Sequence, residues 1–242
     1  MHASSRLSEI LLADRTSRAE DGIHTVLPPG IAGHRYDGRA RVYDLLIASR
    51  LYNRVVWGSR PDDYRRFARR AVGAAAEGWH LDAGCGTLLL TADAYLAHPE
   101  RPIVVLDQSR DMLTRARDRV CARTGGTLPG HIVFLQGDLL DLPFRPGSFQ
   151  TILCMGMLHL FDDAGRVATD LKRCLGPDGA LYLTSLVKNG RLGDRYLDFL
   201  CEKGEVARPR SRDALHTSLT ASLEHPFAFE TRGNMAYAVL PE

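Results

Sequence analysis

Lysine is nearly absent from this 242-residue chain, occurring only at positions 172, 188 and 203, although Lys and Arg together number 31. The imbalance reads as codon composition rather than as a binding surface. Asp and Glu total 29, which leaves a formal net charge of only +2. So small a charge supplies no field that would steer the chain onto nucleic acid or a membrane surface. Cysteine is sparse as well. Cys85, Cys121, Cys154, Cys174 and Cys201 are scattered, and no two stand at C-x-x-C spacing. That suggests neither a zinc site nor a disulfide framework, so no metal is expected, and an odd number of spread thiols fits a reducing cytoplasm. No window approaches the ~18 apolar residues of a membrane span. The first apolar patch is broken at Asp14 and Arg15, unlike the core of a signal peptide. What is present is ordinary: 45% hydrophobic and 25% charged residues, as in a globular domain. The length suffices for one well-cored domain with additions.

The periodicity changes along the chain. Residues 1–35 mix short apolar patches with charge and end at "LPPGIAGH", which predicts a loose arm or short helix before a break. Residues 37–57 place apolar side chains at helical spacing. A further helix begins at Pro61 with acids behind it and ends at Gly78. From "WHLDA" onward, short β-branched runs alternate with helical ones. Strands are predicted at "WHLDA", "PIVVLD", "HIVFLQGD", "FQTILCMG" and "ALYLTSLV". The helices between them are "GTLLLTADAYLAHP", "SRDMLTRARDRVCART" and "DDAGRVATDLKRCLGPDG". That alternation means βαβ units and a parallel sheet covered on both faces. Helical patterns at 191–203 and 211–223 precede "FAFETRGNMAYAVL", a hairpin turning at Gly233-Asn234.

In such a sheet ligands bind at the carboxyl ends of the strands. There stand Asp82-Ala83-Gly84-Cys85-Gly86, Asp107-Gln108-Ser109, Gly137-Asp138-Leu139 and Cys154-Met155-Gly156. A dinucleotide fingerprint needs G-x-G-x-x-G, but Leu occupies position 89. A pyrophosphate beside Asp82 would also face like charge, worth about 1 kcal/mol in water at ~4 Å and more when buried. A ligand with a ribose and a cationic or zwitterionic part is favoured. Asp107 is placed to accept from two ribose hydroxyls. Asp138 can accept from an exocyclic adenine amine, with Met112 and Leu139 as apolar faces for the base.

The stretches "LDAGCGTL", "VVLDQSRDML", "GDLLDLPFRPGSFQTILCMGMLHLF" and "LGPDGALYLTSL" resemble the motif series of class I S-adenosylmethionine-dependent methyltransferases. The small-molecule branch with the ubiquinone and menaquinone enzymes is the nearest. The resemblance covers roughly residues 75–187. It implies a Rossmann-like doubly wound α/β fold, with a seven-stranded mostly parallel sheet, an antiparallel C-terminal strand and N-terminal capping helices. It implies S-adenosyl-L-methionine as cofactor, released as S-adenosyl-L-homocysteine. The implied contacts are Asp82, Ala83, Gly84, Cys85, Gly86, Asp107, Gln108, Met112, Asp138, Leu139 and Met155. The chain departs from the family at Leu88, where a third glycine is usual, and at Gln150, where Asp is usual. The expected organisation is an arm at 1–35 and one methyltransferase domain at 36–242. That domain divides into capping helices at 36–75, a cofactor core at 76–187, and specificity helices with a hairpin at 188–242.

The expected reaction is methyl transfer to a small organic acceptor in a bacterial cytoplasm, with no nucleic-acid partner. The acceptor atom and the oligomeric state, homodimer included, stay open. His159 is the first candidate base and Tyr43 the second; the plainer role for His159 is packing or hydrogen bonding. Tyr36, Tyr52 and Trp57 divide between core and pocket lining. "RRFARR" reads as a solvated helix face and Cys85 as a small residue fitted to its loop. Two alternatives stand beside this reading: a binder of the same cofactor that does not methylate, such as a cyclase, isomerase or regulator, and an NAD-type oxidoreductase.

Overall fold

The computed structural model describes residues 3–28, 56–190 and 192–241. The apolar runs predicted as strands form β3 (His80–Ala83), β4 (Ile103–Asp107), β5 (Ile132–Gln136), β6 (Phe149–Cys154) and β7 (Leu175–Leu186). The tail hairpin forms β8 (Ala228–Arg232) and β9 (Met235–Leu240). Among the described residues the sheet has nine strands rather than the seven expected. The two extra are β1 (Arg18–Glu20) and β2 (Ile23–Thr25), turned at Asp21-Gly22. The order is β1-β2-β5-β4-β3-β6-β7-β9-β8. β2, β5, β4, β3, β6 and β7 run parallel, whereas β9 pairs antiparallel with both β7 and β8, and β1 with β2. Chain order reverses at β3, so the crevice beside its carboxyl end is the switch point where ligands lodge.

Side chains alternate between the two faces, as a pleated sheet requires. Leu81, Ala83, Val104, Leu106, Val133, Leu135, Ile152 and Cys154 join one buried cluster. Helices α1 (Ala3–Ile10), α5 (Ala164–Arg173) and α7 (Arg212–Leu223) cover it. The opposite face splits in two. Ile103, Val105, Ile132 and Phe134 pack with α3 (Ala92–Leu96) and α4 (Arg110–Arg123). Leu153, Tyr182, Tyr237 and Val239 pack with α2 (Pro61–Val72). A sixth long helix, α6 (Leu192–Glu202), follows β7. Near the amino ends of β3 and β4, Arg101 is 1% exposed. Its guanidinium donates to the carbonyls of Val72, Ala75 (2.7 Å) and Gly78 (3.2 Å) and to Thr151 Oγ1 (2.7 Å). One side chain thus ties the carboxyl end of α2 to β6.

Two helices are shorter than expected. The first, α2, ends at Val72 with Gly73 as its cap rather than running to Gly78. The pattern of "GTLLLTADAYLAHP" predicts a helix from its start, but α3 begins only at Ala92. Leu88 adopts φ +54°, a left-handed conformation that no α-helix contains. It is the position at which the resemblance leads one to expect a third glycine. A buried side chain, 1% exposed and packed against the α3–α4 cluster, holds it there.

Candidate functional site

The turn after β3 is built from backbone up. The N–H groups of Gly84 and Cys85 both donate to Leu106 O, at 2.8 and 2.9 Å, fastening the turn to β4. Gly84 has φ +79°, and a Cβ there would lie 2.5–2.8 Å from Met157 Cγ, Sδ and Cε. Gly86 has φ +55°, with open space where its Cβ would be. One glycine therefore closes against the 3₁₀ turn at Leu158–Leu160, and the other opens a cradle beside the strand ends. Arg119 of α4 donates to Thr87 O and braces the turn from behind.

Asp107 spans the site's floor. Its Oδ2 accepts from Gly86 N at 2.8 Å and its Oδ1 from Ser109 N at 2.9 Å. Ser109 in turn caps α4 by accepting from Met112 N. Asp138 is half-buried, its Oδ1 accepting from Leu140 N at 2.9 Å. Gln108 meets β5 through its carbonyl, which accepts from Gln136 Nε2. Ala83, Met112 and Leu139 are 0%, 4% and 5% exposed, buried at the strand ends as Asp82 is. Met155 is partly buried against the α2 cluster, with Leu89 and Leu186 beside it.

Asp82 lies deeper than its place before the glycines suggests. It is 2% exposed, and its Oδ2 accepts from the hydroxyl of the fully buried Tyr95 at 2.6 Å. Burial pushes its pKa from 3.8 up to about 7; the Tyr95 bond opposes this and the charge of Asp107 adds to it. The unfolded chain ionises at the ordinary value, so this carboxyl's contribution to the fold is complete at low pH and is lost as pH rises through about 7. Burial also raises the Cys85 thiol well above its usual range, with Asp107 and Asp82 adding to the effect. It stays protonated and serves as a small loop residue.

His159 sits in the 3₁₀ turn after β6. Its Nδ1 accepts from Leu186 N at 3.4 Å and its carbonyl from Ala207 N at 3.0 Å. Burial, then Arg210, pushes its pKa down to about 4, so it is neutral at neutral pH. Tyr36, Tyr43 and Tyr52 lie outside the described residues. Trp57 is inside them, and its ring meets Tyr196 of α6 at 5.4 Å. The carbonyl of Trp57 accepts from Asn234 N, and Asn234 O accepts from Val187 N just past β7. The structure therefore gathers Asp82, Gly84, Gly86, Asp107 and Asp138 around the switch point, with His159, Met155 and Trp57 toward β7. Sequence reasoning passed over Tyr95, Met157 and Arg119. No local pattern marks them, since their roles come from partners on other elements.

A profile described as a methyltransferase domain matches residues 81–183. The chain is 28% identical over 151 residues to a ubiquinone/menaquinone biosynthesis C-methyltransferase from Desulfotalea psychrophila, covering 62% of this chain and 56% of that one. It is 28% identical over 140 residues to a malonyl-[acyl-carrier protein] O-methyltransferase from Legionella pneumophila, covering 58% and 42%. The chain spans between about a quarter and just over half of the length of the curated relatives it matches first. Among solved structures, a candidate S-adenosyl-L-methionine-dependent methyltransferase from Methanococcus maripaludis superposes with TM-score 0.60 at 15% identity. That match covers 89% of this chain and 97% of the other and speaks to the fold. Residues 81–183 thus match a methyltransferase domain, and the strand order and glycine turn around them are similar to those of the class I S-adenosylmethionine-dependent methyltransferases.

Proposed function

We propose that the protein transfers a methyl group from S-adenosylmethionine to a small organic acceptor. The observation that carries this is the unbalanced carboxylate Asp82. It is buried at the switch point, and no cation of the described residues acts on it. A buried carboxylate with no countercharge is costly even when a hydroxyl donates to it, and a ligand ammonium supplies that countercharge where a pyrophosphate would add repulsion. Asp107 supports the same ligand, since a carboxylate at the end of β4, the strand beside β3, is placed to accept from ribose hydroxyls. The open side of Gly86 leaves room for close approach. The bound cofactor supplies an activated methyl on a sulfonium. The chain's own residues have to hold donor and acceptor in line and away from water, which contributes ~7–11 kcal/mol where geometry is good.

Both departures from the family pattern are compatible with methylation. Leu88 adopts the left-handed conformation that a glycine there would take. Gln150, at the amino half of β6, donates to Pro177 O and Asp178 O and is remote from the strand ends. The acceptor is proposed to lie over the carboxyl ends of β6 and β7, between Met155, His159 and the Trp57–Tyr196 pair. No helix among the described residues is long and apolar enough to cross a membrane, which accords with a small-molecule acceptor met in solution.

S-adenosylhomocysteine is expected to raise the melting temperature while NAD leaves it unchanged; the reverse would overturn the reading. Mass spectrometry of the acceptor product should show the gain of one CH₂, and stabilisation without that gain would point to a binder. His159, neutral and engaged through Nδ1, is proposed to anchor the 3₁₀ turn, with an acceptor that needs no strong base. His159→Gln should then lower kcat less than about tenfold, and a loss of 10²–10⁴-fold would restore general-base catalysis.

A further inference from the structure

We propose that Tyr95 is a positioning residue for Asp82, and that this buried pair gives up one proton when the cationic cofactor binds. The inference rests on the reading above and concerns how the same site recognises charge. Tyr95 touches neither substrate nor solvent: it is 0% exposed, on α3, with its hydroxyl 2.6 Å from Asp82 Oδ2. Its ring stands 5.4 Å from that of His80, on the strand that carries Asp82. The phenol thus lies along one face of β3, against the His80 ring, with its hydroxyl committed to the Asp82 carboxylate.

The surroundings leave the carboxyl poised. The groups acting on Asp82 are Tyr95 and Thr91 around the start of α3 and Asp107 at the end of β4. Asp82 in turn acts on Cys85 in the turn and on Cys154 at the end of β6. Burial raises both thiols and the phenol well above neutrality, and lowers His80 well below it. Around α3, His98 and His131 bond the carbonyls of Ala94 and Tyr95 rather than the carboxylate. Asp107 is the one other carboxylate acting on Asp82, and its two oxygens are bonded to backbone N–H groups. Ligand-free, Asp82 is half protonated near neutrality. A bound ammonium favours its ionised form, so binding drives the proton off. Tyr95 donates to the ionised form and keeps this exchange within the neutral range.

Linkage fixes the sign. Affinity should rise with pH, approaching tenfold per pH unit below about pH 6.5, and level off above about pH 8. Titration calorimetry of the full chain with S-adenosylhomocysteine at pH 6, in buffers of different ionisation enthalpy, should show about one proton released per molecule bound. In Asp82→Asn the pH dependence should flatten and the proton release vanish. In Tyr95→Phe, which removes the bond favouring ionisation, the midpoint should move to higher pH while affinity at pH 8.5 is recovered. Binding without proton release in the parent protein overturns the inference and leaves the cofactor reading intact. So does a slope that survives in Asp82→Asn. No binding at any pH overturns both. The parent protein alone decides the matter if a variant fails to fold.

Discussion

Asp107→Ala is expected to weaken S-adenosylhomocysteine binding by ~1.5–3 kcal/mol, the range for hydrogen bonds to a charged group, or roughly 10- to 150-fold in Kd. The substitution acts twice. It removes the proposed acceptor for the ribose hydroxyls. It also strips Gly86 N and Ser109 N of the oxygens that hold them at 2.8 and 2.9 Å, which loosens the cradle before any ligand arrives. Asp107→Asn separates the two effects. Its single carbonyl oxygen can keep one backbone bond but cannot accept from both ribose hydroxyls and both N–H groups. It should fall between parent and alanine variant in calorimetric Kd, with a melting temperature close to the parent's. An unchanged Kd in Asp107→Ala would mean that the ribose lies elsewhere.

Arg101→Ala carries the largest expected loss of stability, at least about 3 kcal/mol. The guanidinium satisfies three carbonyls at the end of α2 and the hydroxyl of Thr151. Alanine leaves the buried Val72 carbonyl without its donor, gives up the bonds to Ala75 O, Gly78 O and Thr151 Oγ1, and opens a cavity at the end of α2. Burial lowers the arginine's pKa only to about 10, so it is charged throughout the physiological range. Its bonds are therefore charge-assisted. Arg101→Lys should recover only part of the loss, because an ammonium is a point donor where the fork reaches several carbonyls at once. Urea unfolding of the three proteins gives the measurement. A loss under about 1 kcal/mol in the alanine variant would mean that water or repacking replaces the clamp.

The core of the fold was legible because its signals are local. "IVVLD", "IVFLQ" and "FQTILC" are β-branched or apolar except at Asp107, Gln136 and Gln150, and all three form strands whose other residues are buried on both faces. The three acids were legible because each stands at a strand end, and that position follows from the alternation alone. The first hairpin was not. "RAE" and "IHT" are three residues each, and β1 is exposed along its length. No hydrophobic period marks them, although Asp21-Gly22 is a turn-forming pair. Leu88 defeated the helix prediction because nothing in a leucine announces φ +54°. The conformation follows from anchoring its side chain among Tyr95, Val105 and Leu113 in the same buried cluster. The depth of Asp82 was likewise invisible, since it depends on Tyr95, thirteen residues further on. Sequence placed the acid before the glycines but gave no sign that a phenol would cover it.

The first hairpin also bears on how the chain assembles. β2 joins the sheet against β5, with Ile23 beside Phe134, a contact spanning roughly a hundred residues. During synthesis the hairpin is made before β5 and must wait for it, while β4 and β3 are also made in between. Closing so long a loop is slow, so the hairpin is expected to dock late. Until it docks, β5 presents a bare edge of apolar strand, the kind of surface on which chains stick to one another. Removing residues before 28 would make that transient exposure permanent. A protein shortened in this way should retain its glycine turn and its three acids, yet be lost to aggregation as it is made.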